Sequence, residues 1–556
     1  MKQFSHVSGK RDDNNPAISL LPPKVLSRIM FLGVQSDQRA WRWEPRSIGL
    51  QQIASHVCRH WRDVALNTPN LWTFIHVGSS IPNEHTALYL ARAGPTELLD
   101  VAIDLSSPSP LYDPTDRENH DRIFNSSQGD SEELSKNLKG ILELFTTHGA
   151  EPSRWRSLLV RTEELGGQEL SSLIECIGQH PVPNLQRLYL GHYRTTFTRM
   201  LIGDETGYLT CHITDGARTF IESLSSNLLC LELELSCVYA YTFGSTCAFA
   251  KLKTLTIVSY ELGHFQLQEI LSGSPQLESL CLSDDDEPRS TANVNRPALA
   301  TDSEIFPLAS PRIAAPSLRS LSIHTEHRPA RARQILAAIE ATELHSFSLK
   351  CTPKDLDGLH TLSLVAYIIG KPEDPTNTSS SGRPIFPSLQ SLDISLFGCT
   401  KQQTQDLVSS FPQLTRLVVG KQQLAWLGET FFLKLPRLET LGVLGLPARA
   451  KAVTDFLSHR AFASNPIKEV EARASRLKLS SKTQHKRRGL IPGLLSAAPT
   501  YEYYQCEDDT ITSDLQSLER RSALTVTMLH PCPPATILLD MLNSSDNLKR
   551  PHPNIG

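Results

Sequence analysis

The sequence predicts an α/β chain in which a small helical module is followed by a solenoid of short parallel strands alternating with helices. Between Ile18 and Ile75, apolar residues recur at helical steps of three and four. Beyond that segment a short pattern (apolar, two residues, apolar, one residue, apolar) returns at a near-constant period, with helical stretches between its copies. The chain has 556 residues, 40% hydrophobic and 21% charged, which is enough to bury a sizeable core. At about 150 residues per domain that length implies several domains unless a repeat array absorbs it. The expected organisation is a disordered N-terminus over 1–17, the helical module over 18–76, and a linker leading into the array over 77–152. The solenoid follows over 153–475, and a basic linker with late strands and a disordered tail over 476–556.

The module begins at Ser19 and Pro22-Pro23, because proline fixes φ and its missing N–H is harmless in a first helical turn. Val25, Leu26, Ile29 and Met30 then give a short amphipathic helix. A second helix is marked by Ile53, Val57, Trp61 and Ala65 at steps of four, and ends near Asn67-Thr68-Pro69, where the residue before proline leaves helical geometry. Leu71-Trp72 follows as an aromatic anchor, and a polar insert with Trp41 and Trp43 fills Gly33 to Gln51.

The run "LLPPKVLSRIMFLG", with "IASHVCRHWRDVALNTPNLWTFI" after it, resembles the F-box of the large F-box-like families of mushroom-forming fungi. Leu21, Pro22, Pro23, Val25, Leu26 and Ile29 carry the likeness in the first part, and Val57, Cys58, Trp61, Arg62, Ala65, Pro69, Leu71 and Trp72 in the second. "ALYLARAGPTELLDVAIDL" (87–105) and "SRWRSLLV" (153–160) look like the usual continuation. The resemblance implies a helical unit that docks through apolar contacts on the Skp-type adaptor of a cullin-RING ubiquitin ligase. Carried over residue by residue, the adaptor-binding set is Leu21, Pro22, Val25, Leu26, Ile29 and Met30, with Val57, Cys58 and Trp61. Lys24 departs from the family, which usually has an acidic residue there, and the insert lengthens the first connection.

The recurring motif ends at Leu190, Ile257, Leu282, Ile323, Ile394, Val419 and Val443, with weaker copies at Trp155-Leu158-Val160, Leu228-Leu231-Leu233, Leu344-Phe347-Leu349 and Ile467-Val470-Ala472. Its first leucines are spaced about 25 (Leu252 to Leu277), 26 (Leu318 to Leu344), 25 (Leu389 to Leu414) and 24 (Leu414 to Leu438), inside the leucine-rich-repeat range. Steps of about 41 (Leu277 to Leu318) and 45 (Leu344 to Leu389) read as one repeat plus a polar inserted loop. Helices are expected at 218–225, 265–272, 333–341 and 452–459. Each repeat buries its leucines only against its neighbours. Full leucine-rich repeats place Asn or Cys three residues past the third apolar position. Here Tyr193, Tyr260, Asp285, Glu326, Thr352, Phe397 and Gln422 stand there, so the array is degenerate. "YEYYQ" and "ALTVTMLH" are expected as late strands.

A net charge of -4 gives no global attraction for nucleic acid or an anionic membrane, and no stretch approaches about 18 apolar residues. With no secretory leader read at Met1 to Asn15, the chain is expected in the cytoplasm, the nucleus or both. The 11 cysteines lack Cys-x-x-Cys spacing and read mostly as buried thiols. His56 and His60 stand four apart but lack the further ligands a zinc site needs. No phosphate-binding loop, nucleophile elbow or His-Glu-x-x-His helix occurs, so no cofactor, metal or catalytic residue is assigned. Lys486-Arg487-Arg488 and the acidic run Asp284 to Glu287 read as solvated surface.

The expected function is that of a substrate-recognition subunit: the module joins a Skp-type adaptor and through it a cullin, and the array holds a target protein. The alternative is a repeat scaffold with no ligase attached. A hydrolase or transferase on an α/β sheet would need a convergent polar cluster.

Overall fold

The computed structural model describes residues 21–41, 49–78, 83–104, 138–162, 182–192, 227–234, 249–258, 263–284, 311–325, 328–351, 359–371, 383–431, 434–444, 469–473 and 525–529. The expected termini and basic linker, the helices at 218–225 and 452–459, and "YEYYQ" lie outside the described residues. The chain divides into two compact units, Met1–Leu318 with Ala338–Glu340, and Arg319–Ala337 with Ala341–Gly556.

The first unit opens with helices α1 (Pro23–Trp41), α2 (Leu50–Val57) and α3 (Arg59–Leu66). Helix α1 runs further than its apolar face suggested, taking in the first part of the expected insert. The single second helix of the sequence reading is two helices. Cys58 between them takes extended backbone angles (φ -157°, ψ 174°) and caps α3, its thiol accepting from the Trp61 N–H at 3.5 Å. The break lets the Arg62 side chain donate to the Ser55 carbonyl at 2.8 Å, satisfying a carbonyl at the end of α2. Of the four-step series only Ala65 is fully buried; Ala54, Ser55 and Val64 turn into the core beside it, while Ile53 and Trp61 are half-buried and Val57 is exposed. Trp72 is fully buried and its indole N–H donates to the Ala65 carbonyl at 2.8 Å. Its ring carries the Arg92 guanidinium at 4.2 Å and meets Tyr89 edge-on at 5.1 Å.

Strands β1 (Phe74–Gly78), β2 (Leu99–Asp104), β3 (Trp155–Thr162), β4 (Arg187–His192), β5 (Cys230–Glu234), β6 (Thr254–Val258) and β7 (Ser279–Asp284) follow, each parallel to the one before it. Helix α4 (Asn83–Ala93) joins β1 to β2, a helix spans 138–147 (α5), and α6 (His264–Gly273) joins β6 to β7. The parallel ladder thus begins at Phe74, and the segment expected as linker and entry to the array contributes strand β2. Strands β1 and β2 also keep the motif's spacing, as Trp72-Ile75-Val77 and Leu98-Val101-Ile103, and β2 is buried on both faces although its outward side carries Asp100 and Asp104. A short pair, β8 (Ile313–Ala314) with β10 (Ile339–Glu340), was not foreseen.

The second unit repeats the plan. Strands β9 (Ser320–Thr325), β11 (Ser346–Lys350), β12 (Ser391–Asp393), β13 (Arg416–Gly420), β14 (Thr440–Leu444), β15 (Glu469–Arg473) and β16 (Thr525–Leu529) are parallel in chain order. Helices α7 (Pro329–Ala338), α8 (Leu359–Ile368), α9 (Lys401–Ser409) and α10 (Lys421–Phe431) alternate with them. In β9 and β11, buried and half-buried residues alternate strictly, so Leu321, Ile323, Phe347 and Leu349 point into the core. Every weak or strong copy of the motif is a strand, and the fold is a leucine-rich-repeat solenoid.

Candidate docking surfaces

Helix α1 carries two apolar stripes one residue apart. Leu26, Met30 and Val34 are buried, at steps of four. Val25, Ile29 and Leu32 remain 45%, 47% and 50% exposed. A helix with one apolar face packed and a second left open has the form of a docking element.

The structure separates the nine nominated residues. Val25, Ile29, Val57 and Cys58 are exposed, as is Pro22; Leu21 and Trp61 are half-buried; Leu26 and Met30 lie in the core of the module and present nothing to a partner. Leu32, inside the quoted run but not among the residues the resemblance carries over, shares the open side of α1 with Val25 and Ile29. Lys24 is exposed, and its carbonyl accepts from the Ser27 hydroxyl at 3.0 Å. The two histidines considered for metal part ways: His56 is exposed, and a His60 ring nitrogen lies 3.3 Å from the Leu21 carbonyl oxygen.

The outer face of the first strands is closed. Phe74, Asp100, Ala102, Asp104, Ser157, Leu159, Arg161 and Tyr189 are all buried there. The Asp100 carboxylate is met internally: Arg156 pairs with it through Nε and Nη2, and the Ser157 hydroxyl donates to its Oδ1 at 2.8 Å. The hydrogen bond from Arg156 to Asp100 outweighs burial and holds the guanidinium pKa above its usual value. Burial pushes His76 down to about 4, against the opposing charge of Asp104.

In the second unit the outer face stays half-open and is lined with serines on β9, β11 and β12. His324 is also held near a pKa of about 4, first by burial and then by Lys350, with Asp393 acting the other way. A His324 ring nitrogen lies 2.9 Å from the Ser322 hydroxyl, but the Asp393 carboxylate is turned to Ser395. That is not the geometry of a catalytic triad, in which the carboxylate bonds the second ring nitrogen.

Of the ladder positions, only Phe397 and Gln422 are described; Phe397 is buried and Gln422 is exposed. The turn chemistry is carried instead by glutamines at the third helical position. Gln423 accepts from the Gly420 N–H at 2.6 Å and donates to the carbonyls of Ile394 at 2.7 Å and Phe397 at 2.6 Å. Gln403 accepts from the Thr400 N–H at 2.7 Å, and Gln266 from the Gly263 N–H at 3.0 Å. Among the described cysteines Cys351 is buried, Cys230, Cys281 and Cys399 are intermediate and Cys58 is exposed, so burial is less general than composition suggested. Among the described residues no cluster suited to a metal ion occurs, and no helix is long and apolar enough to cross a membrane.

This is a repeat protein with two candidate surfaces. A family model described as the leucine-rich repeats of the FBD-associated F-box protein At5g56370 matches residues 218–419. No curated protein matches. Similar solved structures include a protein from Bacteroides fragilis, at 14% identity over 61% of this chain and 82% of that one, with a TM-score of 0.31. Another is the leucine-rich repeat-containing protein LegL7 from Legionella pneumophila, at 13% identity over 65% of this chain and 90% of that one, with a TM-score of 0.29.

Proposed function

We propose that the chain is a substrate-recognition subunit of a cullin-RING (SCF-type) ubiquitin ligase, with α1 to α3 as its F-box-like module. The observation that carries this reading is the open stripe of Val25, Ile29 and Leu32 on a helix whose other apolar face is already packed. Pro22, Val57 and Cys58 are exposed on the same module, and the resemblance assigns all but Leu32 to the adaptor. The match of residues 218–419 to repeats of an F-box-associated family supports the pairing of such a module with such an array. The array would hold a target protein, raising its effective concentration at a ligase whose catalytic groups lie in other subunits. Such a subunit works in the cytoplasm or nucleus, needs no cofactor, and meets neither nucleic acid nor membrane.

The test is co-purification of the full chain with a Skp-type adaptor and a cullin. Retention by the wild type, lost on Ile29→Lys with Leu32→Lys, supports the reading. A folded wild type that retains no adaptor overturns it. The alternative, a scaffold without ligase attachment, is favoured by the exposed Lys24 beside the stripe, where an acidic residue is usual.

A further inference from the structure

The outer face of β9, β11 and β12 is built from short hydroxyl side chains in register. Ser346 stands between Ser320 and Ser391, and Ser348 between Ser322 and Asp393. All are half-buried. A serine side chain rises little above the sheet and both donates and accepts, so a partner's backbone can come within hydrogen-bonding reach of this floor.

The charges on the face are unequally committed. Asp393 Oδ1 accepts from the Ser395 N–H at 3.0 Å and from the Ser395 hydroxyl at 2.7 Å. Arg416 Nη1 donates to the Ser391 hydroxyl at 3.4 Å. His324 is neutral near pH 7 and shares a hydrogen bond with Ser322. Lys350, opposite His324 in the register, makes no ion pair or hydrogen bond among the described residues. Among the described residues the face thus offers one uncommitted cation at the edge of a hydroxyl floor, and charge complementarity asks for an anion there.

We infer that this face seats an extended segment of the target protein, placing an aspartate or glutamate side chain on Lys350 while its backbone and polar groups bond to the serine hydroxyls. This deepens the proposed target-holding role of the array and is independent of the adaptor surface.

The probe is a random dodecamer library displayed on phage and panned on the full chain. The expected result is a family of peptides with an acidic residue at one fixed position. Synthesised members should bind Lys350→Ala at least tenfold more weakly, Lys350→Arg close to wild type, and Lys401→Ala, a change on the exposed start of α9, within twofold. Each variant is checked for an unchanged melting profile. A library that yields no acidic consensus, or peptides that bind Lys350→Ala within twofold of wild type, overturns the inference. Adaptor retention by Lys350→Ala is measured in parallel. Peptides that depend on Lys350 when the wild type retains no adaptor would leave this surface standing and remove the ligase reading; the converse would do the reverse.

Discussion

Replacing Ile29 and Leu32 by lysine separates docking from folding. These side chains are 47% and 50% exposed, so roughly half of each already packs on the module. A lysine stem can keep that half covered while its ammonium stays in water. The cost to folding should be below about 1 kcal/mol per site, in the range of surface substitutions. Docking would bury the open half. At about 1.5–3 kcal/mol for a whole aliphatic side chain, that is about 1 kcal/mol each and about 2 kcal/mol together. Seating an ammonium in an apolar interface adds to the loss. The dissociation constant for a Skp-type adaptor should therefore rise by about thirtyfold or more, measured by titration calorimetry beside a urea unfolding curve. Leu26→Ala is the counterpart: Leu26 has no exposed surface, and its truncation should cost about 2–5 kcal/mol of stability. The reasoning fails if the double lysine variant unfolds as readily as Leu26→Ala, or stays folded and binds adaptor within threefold of wild type.

Gln423→Ala strips a buried amide from the Ile394 and Phe397 carbonyls and the Gly420 N–H, and should destabilise the second unit by about 2–4 kcal/mol in a denaturant titration. Asp100→Ala leaves Arg156 and Ser157 without their acceptor; because the arginine side chain is 38% exposed and can reach water, the expected loss is about 2 kcal/mol, read as a lower melting temperature. His76 and His324 have folded pKa values of about 4 against 6.5 unfolded, so between those limits the unfolded chain binds more protons and stability falls as pH is lowered. Each can contribute up to about 3 kcal/mol of loss by pH 4, and His76→Gln with His324→Gln should flatten the decline in unfolding midpoint between pH 7 and pH 5.

The strands were legible because a period of two, set by inward leucines, survives in a short stretch whatever the outward residues are. The helices were harder. Helix α10 has the polar start Lys421-Gln422-Gln423, and Leu359 to Ile368 is apolar on most sides, so neither shows a clean stripe. Strands β1 and β2 escaped although Trp72-Ile75-Val77 and Leu98-Val101-Ile103 keep the motif's spacing, because both lie in stretches assigned to the helical module and its continuation. On α1 both stripes are apolar, and composition cannot tell Ile29 from Met30; packing against α2 and α3 decides which goes inside. The break at Cys58 has no proline or glycine to announce it, since a thiol cap and a tertiary bond from Arg62 define it.

The glutamine at the start of a helix has a consequence for how such an array changes over generations. At Gly263, Thr400 and Gly420 the strand-to-helix corner is fastened by a side chain only three residues away. A continuous asparagine ladder spreads that task along the whole array, so an irregular repeat would disturb its neighbours. A corner that fastens itself confines the disturbance. The stretches beyond the helices can then be lengthened or rewritten, as in the step of about 45 residues whose polar run follows α8, while the strand face keeps its frame. In such a lineage, recognition can drift quickly on a scaffold that stays still.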